Sequence, residues 1–425
     1  MCESAMVHIS RFAALRPEPS LASRIAAVPY DVVSTEEARE EIEKNPLSFL
    51  CVSRSDAELP DIPAHDLRVY SRARENFDRM IAKGQLLRDP SPGMYVYRIE
   101  QGEDNFIGLC CCLDVQDYVE NRIKRHELTR YDKEEDRTCH IDAVNAHNGP
   151  VVLLFRDAEN VSRYLETITR DNSGLVSDVR TSQGFRHRIY RIGSRKELAD
   201  LEAFFSRIPS LYIADGHHRA KSAVNVAERR KKEGRFTEEA GKFMGVIFAE
   251  NRVRVHGYSR LVTDLGPFTP EGFLVALRHV FTVVPCPDVD TSGYHIPPRA
   301  KDAGTLHVIH MYLGGQWYEC SCPKDPAADP ISSLDVEILQ NGVMERLLSI
   351  TDPRSDPRLQ YLGGARPLSD LTERIDSGEF DVAFSMQPVK VSTVLSIADA
   401  GGIMPPKSTW FEPKLLSGLT IHPID

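Results

Sequence analysis

Five consecutive apolar residues, Val151 to Phe155, follow Gly149-Pro150, and such a run predicts a strand buried on both faces of its sheet. Elsewhere the hydrophobic pattern alternates between strand and helix spacing. Strand character over 9–33 is interrupted by prolines and ends in Val28-Pro29-Tyr30-Asp31-Val32-Val33. Ser34 stands three residues before Glu37, the spacing of a capping box, and predicts a helix over 35–44. A second helix is expected over 66–83, stopped by Gly84, and paired strands over 94–100 and 106–115. Ser194 and Glu197 open another helix, running to 207. A short apolar strand over 211–214 then leads into Asp215-Gly216-His217-His218-Arg219. A long helix is expected over 219–234, with Ala220, Ala223, Val224 and Ala227 on one face.

Further along, a strand is expected over 244–249, and turn residues cluster over 266–270. Residues 271–330 read as an inserted subdomain: a helix, then strands over 281–284, 305–313 and 317–320. A helix over 334–350, a strand over 382–386 and a helix over 391–400 complete the pattern. The alternation predicts a mixed α/β (α+β) architecture in two parts, 1–265 and 266–425. Only 122–148 resists the pattern. It is dense in ionisable groups with weak apolar periodicity, and reads as a loop followed by a short polar helix.

Composition narrows the function class. A chain of 425 residues exceeds one small core. Its net charge of −10 disfavours non-specific binding to nucleic acid or a membrane surface. No run of eighteen apolar residues and no apolar leader are present. The nine cysteines are odd in number; Cys110, Cys111 and Cys112 are consecutive in an apolar run, and no CxxC pair offers a zinc site. These features together predict a cytoplasmic protein with free thiols and without nucleic-acid or membrane partners.

The candidate chemistry lies in three polar segments. An Asp-Gly turn between a strand and a helix directs backbone N–H groups and the positive helix end at one point, where a phosphate docks. Gly216 permits close backbone approach, and His217, His218 and Arg219 add donors. The plainer reading is an aspartate N-cap with a surface histidine pair. Glu127 is a single carboxylate among Lys124, Arg125, His126 and Arg130, neighbours that keep it ionised and suit a general base. The plainer reading there is a solvated charged loop. Arg130 stands where an HExxH zinc motif needs its second histidine. Lys407-Ser408-Thr409-Trp410-Phe411, flanked by prolines, is either a rigid functional loop or a terminal strand packing its aromatics. Tyr30 and Asp31 form a turn or line a pocket. A P-loop, a dinucleotide fingerprint, the protein-kinase motifs and a nucleophile elbow are all absent.

The segments Val28 to Val32, Arg125 to Thr129, Ile213 to Arg219 and Met404 to Lys414 resemble the hallmarks of a widespread prokaryotic family catalogued as a domain of unknown function. More distantly, the chain is similar to free L-serine kinases of ParB/sulfiredoxin-like fold. In those enzymes a His-Glu pair supplies the base on the serine hydroxyl. An Asp-Gly-x-His-Arg turn binds the nucleotide phosphates, and a Thr-x-Phe segment lies near the substrate. Here His126-Glu127, Asp215 to Arg219 and Thr409-Trp410-Phe411 follow in the same order. The resemblance implies a ParB/sulfiredoxin-like catalytic core with an added N-terminal module and an inserted subdomain. It implies phosphoryl transfer from ATP or ADP, with Mg²⁺, to free L-serine or a similar small hydroxylated acceptor, giving O-phospho-L-serine. Glu127 and Asp215 would be catalytic, and Gly216, His217, His218, Arg219 and Arg125 would hold the nucleotide phosphates. His126, Thr129, Lys407, Ser408, Thr409 and Phe411 would line the substrate, with no metal ligand assigned. The alternatives are a ParB-like nucleotide-binding regulator without kinase activity, or a kinase for another small acceptor.

Overall fold

All five side chains of the strand Val151–Phe155 are buried, as the continuous apolar run requires. The computed structural model that contains it describes residues 6–157, 160–299, 303–363 and 366–425. The chain forms two units, Met1–Val253 with Pro413–Asp425, and Arg254–Glu412. The first unit is therefore discontinuous in sequence.

Nine strands of the first unit form one sheet: β1 (Ile9–Ser10), β2 (Tyr95–Gln101), β3 (Asp104–Asp114), β4 (Ile123–Lys124), β5 (Val151–Phe155), β6 (Leu175–Arg180), β7 (Arg186–Arg191), β8 (Leu211–Asp215) and β9 (Lys242–Ala249). Their order is β4-β8-β5-β9-β3-β2-β7-β6, with β1 against β3. The β8–β4 and β9–β5 pairs are parallel, and the others antiparallel. Helices of this unit include α1 (Thr35–Lys44), α2 (Leu67–Ala82), α3 (Tyr131–Val144), α4 (Val161–Ile168), α5 (Arg195–Phe205) and α6 (His217–Lys232). Ser34 and Glu37 form the expected capping box at α1.

One core lies on the sheet, where Leu153, Ile213 and Ile247 pack with Ala220 and Val224 of α6. A second gathers Phe49, Phe77, Met80, Val144 and Ile421 around α2 and the end of α3. The C-terminal tail helps to close it: Leu15 and Ile421 exchange backbone hydrogen bonds, as do Ala27 and Ser417.

The second unit carries a six-stranded antiparallel sheet in the order Thr282–Cys286, Gln316–Pro323, Leu306–Leu313, Val382–Ser385, Ser259–Val262, Leu359–Leu362. Its chain enters and leaves side by side, because Arg254–His256 pairs with Trp410–Glu412. That pairing sets the division at 253/254 and 412/413, where turn density in the sequence suggested 265/266. The expected helix over 334–350 is α-helical only over Asp335–Leu339 and widens into a π-helix over Gln340–Glu345, which contains Gly342. Among the described residues, no helix is long and apolar enough to cross a membrane.

Candidate active site

β8 pairs with β5 in regular register to Ile213↔Leu153, and then Asp215 faces Val152, so Ala214 is an extra residue. Such a bulge bends the strand end and re-aims the next side chain. Gly216 follows at φ +94°, left-handed backbone that favours glycine, and α6 begins at His217. No side chain caps this sixteen-residue helix. The N–H groups of its first turn thus point outward with the positive end of the helix dipole.

Asp215 has a cation on each oxygen. The Arg219 Nη2 donates to Oδ2 at 2.5 Å, and the Lys414 Nζ donates to Oδ1 at 2.8 Å. Burial alone would raise this carboxyl, but Lys414 and Arg219 outweigh it and hold the group far below the ordinary carboxylate range. Arg219 is buried and also donates through Nη1 to the Pro150 carbonyl, which ties the turn to the start of β5.

Beside the turn stands the His-Glu pair. Glu127 Oε2 lies 3.7 Å from Nδ1 of His217, beyond hydrogen-bond length, and its side chain is 43% exposed against 4% for the histidine. The His126 and His217 rings meet edge to face with centroids 4.6 Å apart. Burial, reinforced by His126, holds the His217 imidazole well below its ordinary pKa, so the ring is neutral at pH 7. Its Nε2 is buried and has no hydrogen-bond partner among the described residues. Burial likewise lowers His126, to about 4. His218 accepts a hydrogen bond at Nε2 from the Arg130 backbone N–H at 3.1 Å, tying the turn to the segment that opens α3. Thr129 donates to Glu134 in the first turn of α3. Arg125 is exposed and lies over the Tyr118 ring, with Nη1 3.2 Å from the phenolic oxygen.

The structure thus gathers Glu127, His126, Asp215, Gly216, His217, His218 and Arg219 at one place, with Arg125 and Thr129 on the same segment as Glu127. Lys407, Ser408, Thr409 and Phe411 belong to the second unit. There Lys407 has φ +56° and sets its Nζ over the Tyr258 ring, Ser408 donates to the Pro405 carbonyl at 2.7 Å, and Phe411 is buried. Sequence reasoning missed Lys414 as a site residue; its only signal was a place at the end of the Met404 to Lys414 segment. Each oxygen of Asp215 accepts from a cation, and among the described residues no group of three His, Cys, Asp or Glu side chains is arranged to hold a metal ion.

Several solved structures align with this protein at low identity and low TM-score. A free serine kinase in complex with AMP is 12% identical, with a TM-score of 0.35 over 75% of this chain and 91% of that one. A conserved hypothetical protein from Pyrococcus furiosus is 14% identical, with a TM-score of 0.33 over 74% and 92%. SbnI from Staphylococcus aureus, truncated at its C-terminus, is 13% identical, with a TM-score of 0.34 over 71% and 82%. No curated protein matches the chain in sequence. The model of the family described as "Protein of unknown function (DUF1015)" matches residues 9–337, and the chain belongs to that family.

Proposed function

We propose that the protein is a small-molecule kinase that passes a phosphoryl group from ATP or ADP to the hydroxyl of free L-serine. The observation that carries this reading is Glu127, a half-exposed carboxylate, standing beside neutral His217 at the uncapped start of α6. A carboxylate in that place can take a proton from a hydroxyl, and the helix end suits the phosphates of the donor. The motif order shared with free serine kinases supports the same assignment.

In this reading the nucleotide phosphates meet the first-turn N–H groups of α6, with Arg219 behind them. Neutral His217 offers a hydrogen bond without adding charge. Glu127 takes the proton as the serine oxygen forms its bond to phosphorus, and the bond to the nucleotide leaving oxygen breaks with its electron pair. Phosphoryl transfer needs mainly positioning and charge neutralisation, which this donor-rich set supplies. Asp215 is a positioning residue here: its two ion pairs fix Arg219 and Lys414. Lys407, Ser408, Thr409 and Phe411 are assigned to the substrate by motif order alone.

The test is formation of O-phosphoserine from L-serine with ATP, ADP and pyrophosphate supplied in parallel. Product with at least one nucleotide supports the kinase. Tight nucleotide binding with no phosphate passed to serine or to other small hydroxylated acceptors favours a nucleotide-binding regulator instead.

A further inference from the structure

Two cations reach Asp215, and they are not equivalent. Arg219 is committed to the protein: its Nη2 donates to Asp215 and its Nη1 to the Pro150 carbonyl, and only 10% of its side chain is exposed. Lys414, which the C-terminal tail brings into the first unit, donates from Nζ to Asp215 Oδ1 at 2.8 Å, and 24% of its side chain is exposed. Arg219 by itself would neutralise the carboxylate through a local i,i+4 pair. The tail is fastened elsewhere as well, by backbone hydrogen bonds between Leu15 and Ile421 and between Ala27 and Ser417. A second cation, drawn from 199 residues away, therefore calls for a further role.

Its position supplies one. Asp215 ends β8, and two residues later α6 opens without a side-chain cap. The Arg219 Nε–H, which lies against Gly216, is buried and finds no acceptor among the described residues. An acceptor is thus missing both along the helix start and behind it, and a bound anion is what such donors call for. The charges that act on the turn balance only when Lys414 is counted. Arg219, Lys414 and Arg125 stand against Asp215, Asp31 and Glu127. On the side of His218, Asp132 pairs with Arg130, and Lys133 offsets Glu134. Burial keeps His217 and His218 neutral at pH 7. Without Lys414 the turn would carry a net negative charge and repel a phosphate.

We propose that Lys414 binds the terminal phosphate of the nucleotide donor, its ammonium bridging that phosphate and Asp215. The assignment rests on the kinase reading of the turn as the donor site. An ammonium carries three N–H donors, so one group can serve both partners. Arg219 then braces Asp215 and the turn from behind, while Lys414 neutralises charge on the phosphoryl group without forming a bond to phosphorus. The donor site is complete only once the tail has returned to the first unit.

The test titrates the full chain with AMP, ADP and a non-hydrolysable ATP analogue. Lys414→Met should leave AMP affinity within about twofold and weaken at least one of ADP and the analogue by about tenfold or more. Lys414→Arg, which keeps the charge, should bring that affinity back to within about threefold of the parent. Retained AMP binding also shows that the variant is folded. Equal losses for AMP, ADP and the analogue would mean that Lys414 only supports the turn, and would overturn the proposal, as would no loss for any of them. If the loss is selective and no small acceptor is ever phosphorylated, Lys414 keeps its phosphate and the kinase reading falls. If the unaltered chain binds none of the three, both fall.

Discussion

A methyl group on Gly216 would sit 3.0 Å from the Arg219 Nε, on backbone held at φ +94°. Gly216→Ala is therefore expected to destabilise the fold by about 1–2 kcal/mol and to weaken nucleotide binding by displacing the guanidinium. Urea unfolding and a nucleotide titration would check the two effects. Lys414→Met leaves one oxygen of Asp215 without its cation in a half-buried site, and an expected loss of about 1–3 kcal/mol follows. Equal unfolding midpoints for that variant and the parent would contradict the pairing. The residues at this scale were only partly legible in the sequence. Asp-Gly before a helix announces a strand-to-helix turn by local rules, whereas the second partner of Asp215, Lys414, lies 199 residues away and no local rule reaches it.

Histidines are the most consequential groups among the elements. Burial holds His126 beside β4 and His187 in β7 near a pKa of 4, and His140 in α3 and His147 beyond it near 3. The unfolded chain takes up these protons near pH 6.5. Between that value and about 4 the unfolded state binds more protons than the folded one, so stability falls as the pH falls. Each such histidine costs about 1–2 kcal/mol by pH 5. A melting temperature that drops steeply from pH 6.5 to 5 is expected, and a flat profile over that range would contradict neutral burial. Legibility also differed among the elements. α1 was predictable because its cap is local. α3, fourteen residues long, was underestimated because polar groups fix it: Glu135 pairs with Arg229 and Asp142 with Arg230, both on α6. The hairpin of β6 and β7 gave little apolar alternation, since polar Ser177 and His187 take buried positions between charged Asp178, Arg186 and Arg188.

At the scale of the whole molecule, the last thirteen residues complete the first unit after the chain has built the second. They bring Lys414 to Asp215, the Ser417 backbone to Ala27, and fully buried Ile421 to the core around α2. Truncation after Glu412 should therefore unfold or strongly destabilise the first unit, as hydrogen exchange across the nine-stranded sheet would report. Unchanged protection there would show that the tail is dispensable. A mixed α/β architecture was readable from the alternation of patterns, but the return of the tail was not, because backbone pairing at long range leaves no periodic trace. The central claim is that Glu127 acts as base on an acceptor while the Asp215 to Arg219 turn holds the donor. Its most direct test is Glu127→Gln, with kcat for serine phosphorylation and nucleotide affinity measured on the same preparation. The account predicts a fall in kcat of about 10²–10⁴-fold with nucleotide affinity nearly unchanged; near-normal turnover in the variant would contradict it.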